Sequence, residues 1–239
     1  MTSVLLVVSS ANAWTLKDGS KHPTGFWASE FIDPHIVFSQ AGYDITIATP
    51  GGIAPTVDEF SLAPEMNNND QSAIDEQRAY LAALGTKLTQ PVRLEDVKAD
   101  DYDAVYVSGG HGPMEDLAVN KKIGKIFTTL LPNQDKVVAA VCHGVGALLP
   151  AKNEEGTWPF AGRRITGFTN EEETALGFGD KAPWLLESRL RAAGANFFVG
   201  AAFGPHVIVD GNLVTGQNPA SAQPSAEAVV KALSYVAAK

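Results

Sequence analysis

Val137-Val138-Ala139-Ala140-Val141-Cys142-His143-Gly144-Val145-Gly146 is the stretch on which the reading of this chain turns. The five residues before Cys142 are small or β-branched, the pattern of a central strand buried on both faces. The residues after it are punctuated by glycine and run into Ala147-Leu148-Leu149, which reads as a short helix. A thiol at this junction lies at the carboxyl end of a strand and at a helix N-terminus. Open α/β sheets bind ligands outside the carboxyl ends of their strands. A helix N-terminus favours an anion, and therefore thiolate over thiol. Gly144 and Gly146 allow a tight turn and the close approach of a ligand to the backbone. The logic is that of a nucleophile elbow with cysteine in place of serine. A lone cysteine is ordinarily a small buried hydrophobe; the strand-end position, the adjacent His143 and the flanking glycines favour a reactive thiol.

Outward from this junction the chain alternates. Residues 4–8, 43–48 and 103–107 read as further strands, with short ones at 165–168, 197–199, 207–210 and 213–215. Thr24 is expected to cap a short helix carrying Phe26, Trp27, Glu30 and Phe31, and Asp33-Pro34 to restart it, with Asp as N-cap and Pro at the first helical position. Gly42 ends it. Helices follow over 72–84, 121–131 and 183–193. A terminal helix over 221–238 is amphipathic through Ala226, Val229, Val230, Leu233 and Val236. Met66 to Asp70 reads as a solvated loop or helix start. Alternating strands and helices imply an α/β fold, a mostly parallel sheet covered on both faces.

The 239 residues suit one domain, 1–239, and the apolar fraction of 45% suffices for a continuous core. A formal charge of -9 without a Lys/Arg block argues against nucleic acid as a partner. One cysteine excludes an intramolecular disulfide and cysteine-rich zinc sites, and it suits a reducing compartment, the cytoplasm. The apolar run at 4–8 is too short for a signal peptide and lacks a basic flank. No run is long enough to span a membrane.

Three glycine-rich turns each follow a strand: Gly51-Gly52, Gly109-Gly110-His111-Gly112 and Gly144-Val145-Gly146. In a parallel sheet all three open at one edge. The second is not a dinucleotide fingerprint, because the third glycine and the ribose acid are missing. Its better use is an oxyanion hole, with the N–H groups of Gly110 and His143 aimed at one oxygen. His111 faces either the ligand or solvent. A cysteine nucleophile needs a proton acceptor and an orienting acid. His143 is adjacent; the candidate acids are Glu30 and the run Glu171-Glu172-Glu173. Such a run reads as a solvated surface. Glu30 lies between Trp27 and Phe31 on a helix that is otherwise apolar, where a carboxylate is costly unless protonated or bonded to the thiol. His22, His35 and His206 form no metal spacing.

Ala139-Ala140-Val141-Cys142-His143-Gly144, together with Gly109-Gly110-His111-Gly112, resembles the ThiJ/PfpI superfamily of class I glutamine amidotransferase-like proteins. The similarity is greatest to its branch of glutathione-independent glyoxalase III enzymes and heat-shock-protein-31-type chaperones. Thr24-Gly25-Phe26 before Glu30, Thr49-Pro50-Gly51-Gly52, Ile165-Thr166-Gly167-Phe168-Thr169 before Glu173-Thr174, and Thr215-Gly216-Gln217-Asn218-Pro219-Ala220-Ser221 extend it over nearly the whole chain. The resemblance implies a flavodoxin-like sandwich and a homodimer. It implies Cys142 as nucleophile, His143 as its partner, Glu173 as the third triad member, and a protonated Glu30 bonded to the sulfur. Gly110, His111 and Gly144 would line the oxyanion and substrate site. It implies conversion of methylglyoxal and related 2-oxoaldehydes to 2-hydroxy acids such as D-lactate, with no cofactor and no metal. The alternatives are a holdase for unfolded client proteins, and a deglycase, amidase or peptidase using the same thiol. A redox sensor forming a sulfinic acid is a further one.

Overall fold

The computed structural model describes residues 1–237, with side chains to residue 235. The expected helix end at Ala238 and the apolar contribution of Val236 lie outside the described residues. Among the described residues the strands are β1 (Ser3–Val7), β2 (Ala13–Thr15), β3 (Lys21–Pro23), β4 (Asp44–Thr49), β5 (Val92–Arg93), β6 (Ala104–Val107), β7 (Val137–Val141), β8 (Arg164–Ile165), β9 (Asn196–Phe197), β10 (Val207–Asp210) and β11 (Leu213–Gly216). The helices are α1 (Ala28–Gln40), α2 (Gln71–Ala83), α3 (Thr86–Thr89), α4 (Gly112–Glu115), α5 (Lys121–Leu130), α6 (Asn170–Ala175), α7 (Leu186–Ala192) and α8 (Ala222–Ala237).

Seven strands form the central sheet in the order β10-β11-β7-β6-β1-β4-β5. All its pairings are parallel except the β10–β11 hairpin. β7 lies between β6 and β11, and every one of its residues is buried, which accounts for its unbroken small and β-branched sequence. From β1 the chain passes to β4 on one side and returns to β6 on the other. The carboxyl edge beside β1 and β6 is therefore a switch point, where such sheets leave a crevice. The turns after β4, β6 and β7 all open on that edge, as the three glycine-rich sequences require. No helix among the described residues is long and apolar enough to cross a membrane.

The segment from Thr24 to Gly42 departs from expectation. The Thr24 hydroxyl donates to Asp58 Oδ2 at 2.9 Å and caps no helix. α1 starts after Trp27, without a side-chain cap, and runs unbroken through Asp33-Pro34. Proline inside a helix removes one backbone hydrogen bond. Here Phe31, Ile32, Pro34 and Phe38 share the buried side, and that burial outweighs the local penalty. Gly42, at φ 73°, ends the helix as expected.

α1 and α8 pack together on one face of the sheet. Beneath α8, the fully buried Tyr106 of β6 places its hydroxyl 2.7 Å from Ser225 Oγ and 3.3 Å from the Ala222 carbonyl. Tyr106→Phe is expected to lower stability by about 1 kcal/mol, the usual net worth of a buried hydrogen bond. Urea unfolding would show this as a reduced midpoint at unchanged slope; an unchanged midpoint would show that the hydroxyl adds nothing.

Candidate active site

Cys142 follows the last residue of β7 and begins a 3-10 helix, Cys142–Leu148. Its φ is 56°, a left-handed conformation that costs a non-glycine residue roughly 1–3 kcal/mol and aims the side chain off the end of the strand. The turn depends on two glycines with different tasks. A Cβ at Gly144 would lie 2.6 Å from the Ser108 carbonyl oxygen and 2.7 Å from that of Val107. Gly144 thus lets the elbow pack onto the end of β6. The side chains that wall the cavity come instead from residues such as Cys142, His143 and His111. A Cβ at Gly109 would collide with Glu30 Oε2 and lie 2.7 Å from Cys142 Cβ, so Gly109 leaves the room in which acid and thiol meet. The Trp27 N–H donates to the Gly109 carbonyl at 3.2 Å, tying the start of α1, and hence Glu30, to this turn.

Glu173 comes from α6. Thr169 and Glu172 form a capping box at the helix start, which holds the first turn rigid. The expected solvated run is only partly so: Glu171 is exposed, whereas Glu172 and Glu173 are buried. Glu173 Oε2 lies 2.5 Å from His143 Nε2, and Oε1 lies 2.6 Å from His111 Nε2. A carboxylate only accepts, so both Nε2 atoms carry the proton. With Nε2 turned to Glu173, the Nδ1 of His143 lies 3.3 Å from Cys142 Sγ, placed to accept the S–H proton. Burial alone would raise the Glu173 carboxyl, but His143 and His111 outweigh it and hold the group well below the carboxylate range. Burial and the neighbouring His143 push His111 down, towards its neutral form. The histidine rings are stacked into an aromatic box. Trp14 lies flat on His111 at 4.5 Å between centroids, His111 sits 4.1 Å from His143, and Phe168 covers the far side of His143 at 4.4 Å.

Glu30 is fully buried, and neither of its oxygens makes a well-aligned hydrogen bond. Burial pushes its carboxyl up to about 8, against the pull of Cys142 and the N–H groups of Gly110 and Gly109. It is therefore protonated at neutral pH, with the sulfur as its neighbour. Burial and the Glu30 charge also push the Cys142 thiol up, opposed by the N–H groups of Gly110 and His143. Both work against the thiolate that the helix N-terminus would favour. The 3-10 turn is short and its field is weak beside the loss of solvation.

Cys142, His143, His111 and Gly110 share a narrow apolar cavity. An open cleft of about 490 Å³ lies alongside, sharing only Leu176 with it. His111, His143 and Glu173 present ligand atoms within 4.8 Å of one another. Holding an ion at ligand distances near 2.1 Å would part both hydrogen bonds to Glu173. Sequence patterns did not point to Trp14 or Phe178, or to the burial of Glu172, because isolated aromatic residues and a central glutamate carry no local signal of it.

Residues 23–232 match the model of the DJ-1/PfpI family. The chain is 34% identical to glyoxalase 3 of Candida albicans over 242 residues, covering 97% of this chain and 98% of that one. It is 34% identical to the glutathione-independent glyoxalase HSP31 of Saccharomyces cerevisiae over 239 residues, covering 96% and 97%. The X-ray structure of the 24 kDa rapid encystment protein of Francisella tularensis superposes with a TM-score of 0.86 at 31% identity, covering 98% of this chain and 99% of that one.

The raised Glu30 carboxyl has a consequence for stability. Its unfolded value is near 4.5 and its folded value about 8, so its contribution is complete below pH 4.5 and is lost as pH rises towards 8. Glu30→Gln, which cannot ionise, is expected to gain on the wild type by a few kcal/mol between pH 5 and pH 9. Paired urea titrations would measure this, and a pH-independent difference would contradict a neutral buried acid.

Proposed function

This chain belongs to the DJ-1/PfpI family, and on that premise we propose that it is a glutathione-independent glyoxalase acting on small 2-oxoaldehydes such as methylglyoxal. The observation that carries the proposal is a thiol bonded to His143 Nδ1, with His143 fixed from behind by an ionised Glu173 and a protonated acid at the sulfur. In this reading Cys142 is the nucleophile, His143 the base and Glu173 its orienting acid. Gly110 and His143 supply oxyanion N–H groups.

His143 takes the S–H proton as sulfur bonds to the aldehyde carbon, and returns it to the new oxyanion, giving a hemithioacetal. His143 then removes the hydrogen from that carbon as the adjacent carbonyl oxygen gains a proton, giving an enediol. Delivery of a proton to the second carbon, with loss of one from the first hydroxyl, yields a thioester. Water cleaves the thioester to the 2-hydroxy acid and regenerates the thiol. Oxidation of one carbon is balanced by reduction of its neighbour, so the sequence needs no external redox partner. The cavity at the sulfur is narrow and walled by apolar side chains, which supports a small aldehyde over the bulkier substrates of amidase or peptidase chemistry. By the same resemblance the working form is read as a cytoplasmic homodimer.

Lactate release from methylglyoxal without glutathione is the assay. Cys142→Ala is expected to lose at least about a thousandfold, the scale on which removing a member of a catalytic triad acts. A variant as active as the wild type would end the proposal.

A further inference from the structure

The catalytic cavity is walled by Trp27, Met66, Phe168, Leu176, Phe203 and Pro219 around the Cys142–His143 pair. Two of these form its rim, since Met66 is 37% and Phe203 45% exposed. Phe203 is unusual in its backbone. Its φ of 58° is left-handed, a conformation that bulky side chains avoid. It sits in the loop between β9 and β10, and its ring meets Phe168 edge-on at 6.4 Å, the same Phe168 that covers His143.

What holds the loop in that state is Glu172, immediately before the acid of the site. Glu172 Oε2 accepts from the Thr169 N–H at 3.0 Å and hydroxyl at 2.9 Å. Glu172 Oε1 accepts from the Phe203 N–H at 2.7 Å, from Asn218 Nδ2 at 2.8 Å and from Gln217 Nε2 at 3.1 Å. Asn218 and Gln217 in turn donate to the carbonyls of Gly204 and Ala201, on either side of Phe203. One fully buried carboxylate thus binds the α6 cap, the turn after β11 and the Phe203 loop into one unit. The reaction described above uses none of these groups.

We propose that Phe203, held in its left-handed conformation through Glu172, is the specificity-determining wall of the catalytic cavity and limits Cys142 to aldehydes with a short substituent. The substrate class is that of glyoxal and methylglyoxal, and aryl-substituted 2-oxoaldehydes are excluded. Glu172 is a positioning residue, acting on the substrate through the Phe203 loop. The inference rests on the reading of Cys142 as the nucleophile. A smaller side chain at 203 therefore changes which electrophile reaches the sulfur more than it changes the sulfur.

Cys142 is the only cysteine, so its alkylation can be read by intact mass without any turnover. The probes are iodoacetamide and N-benzyl iodoacetamide, each rate normalised to that of a free thiol. Wild type is expected to disfavour the benzyl reagent by at least about tenfold, the lower end of what a close-fitting pocket achieves. Phe203→Gly removes the ring while glycine keeps the left-handed backbone, and it is expected to abolish that discrimination. A wild type without discrimination, or a Phe203→Gly variant that retains it, overturns the proposal. Glu172→Gln is expected to relax discrimination as Phe203→Gly does; unchanged discrimination overturns the positioning role. If Glu172→Gln does not fold, amide hydrogen exchange in the wild type decides. A protected Phe203 N–H supports the anchoring, and exchange as fast as a free loop amide refutes it. Because these rates need no catalysis, a protein that alkylates selectively but makes no lactate would sink the glyoxalase reading and leave the wall standing. In an active enzyme, Phe203→Gly is expected to raise the phenylglyoxal-to-methylglyoxal ratio of kcat/KM by about tenfold or more; an unchanged ratio means that the wall does not choose the substrate.

Discussion

A carboxylate buried among aromatic rings must be paid for by its partners, and Glu173 meets that demand by sharing its two oxygens between two imidazoles. Most of the site follows from this. An ionised Glu173 fixes the proton of each histidine on Nε2, which turns the bare Nδ1 of His143 towards the sulfur. The rings pack in sequence beside it, Trp14 flat on His111, His111 tilted against His143, and His143 tilted against Phe168. The α6 capping box places the acid, the β6 turn places His111, and the strained elbow after β7 places His143. Three separate segments are therefore locked by one charge, and an unpaired Glu173 would cost several kcal/mol.

Glu30 solves the opposite problem. Among the described residues nothing cationic faces it, so it stays protonated and stores a proton beside the thiol instead of a charge. Two buried carboxylic acids on either side of one sulfur are thus pushed in opposite directions by their surroundings, the usual signature of divided acid and base roles. Burial and the Glu30 charge push the Cys142 thiol up as well. In the proposed reaction charge forms as the sulfur attacks, when His143 takes the proton and the N–H groups at Gly110 and His143 face the developing anion.

Much of this was legible in the sequence where local physics decides. The run from Val137 to Val141 could only be a strand buried on both sides, and a glycine-flanked Cys-His beyond it could only sit at the sheet edge. The apolar setting of Glu30 was visible in its neighbours Trp27 and Phe31. Where contacts are remote, local patterns misled. The three consecutive glutamates look like a solvated face, but the donors that bury Glu172 come from Phe203, Gln217 and Asn218, and the partners of Glu173 include His111, 62 residues away. Family resemblance, not spacing, singled out Glu173. Pro34 reads as a helix start because proline favours that position, and only the burial of α1 overrides it. Gly144 reads as a ligand contact until the Val107 and Ser108 carbonyls are seen beneath it.

The claim beneath all of this is a proton assignment: Nε2–H on both His111 and His143, with the Nδ1 of His143 free to receive the thiol proton. Nitrogen-15 NMR of the two imidazoles at neutral pH reads it directly. The account predicts a pyrrole-type Nε2 on both rings and a pyridine-type Nδ1 on His143. A protonated Nδ1 on neutral His143 would leave the sulfur without a base and contradict it.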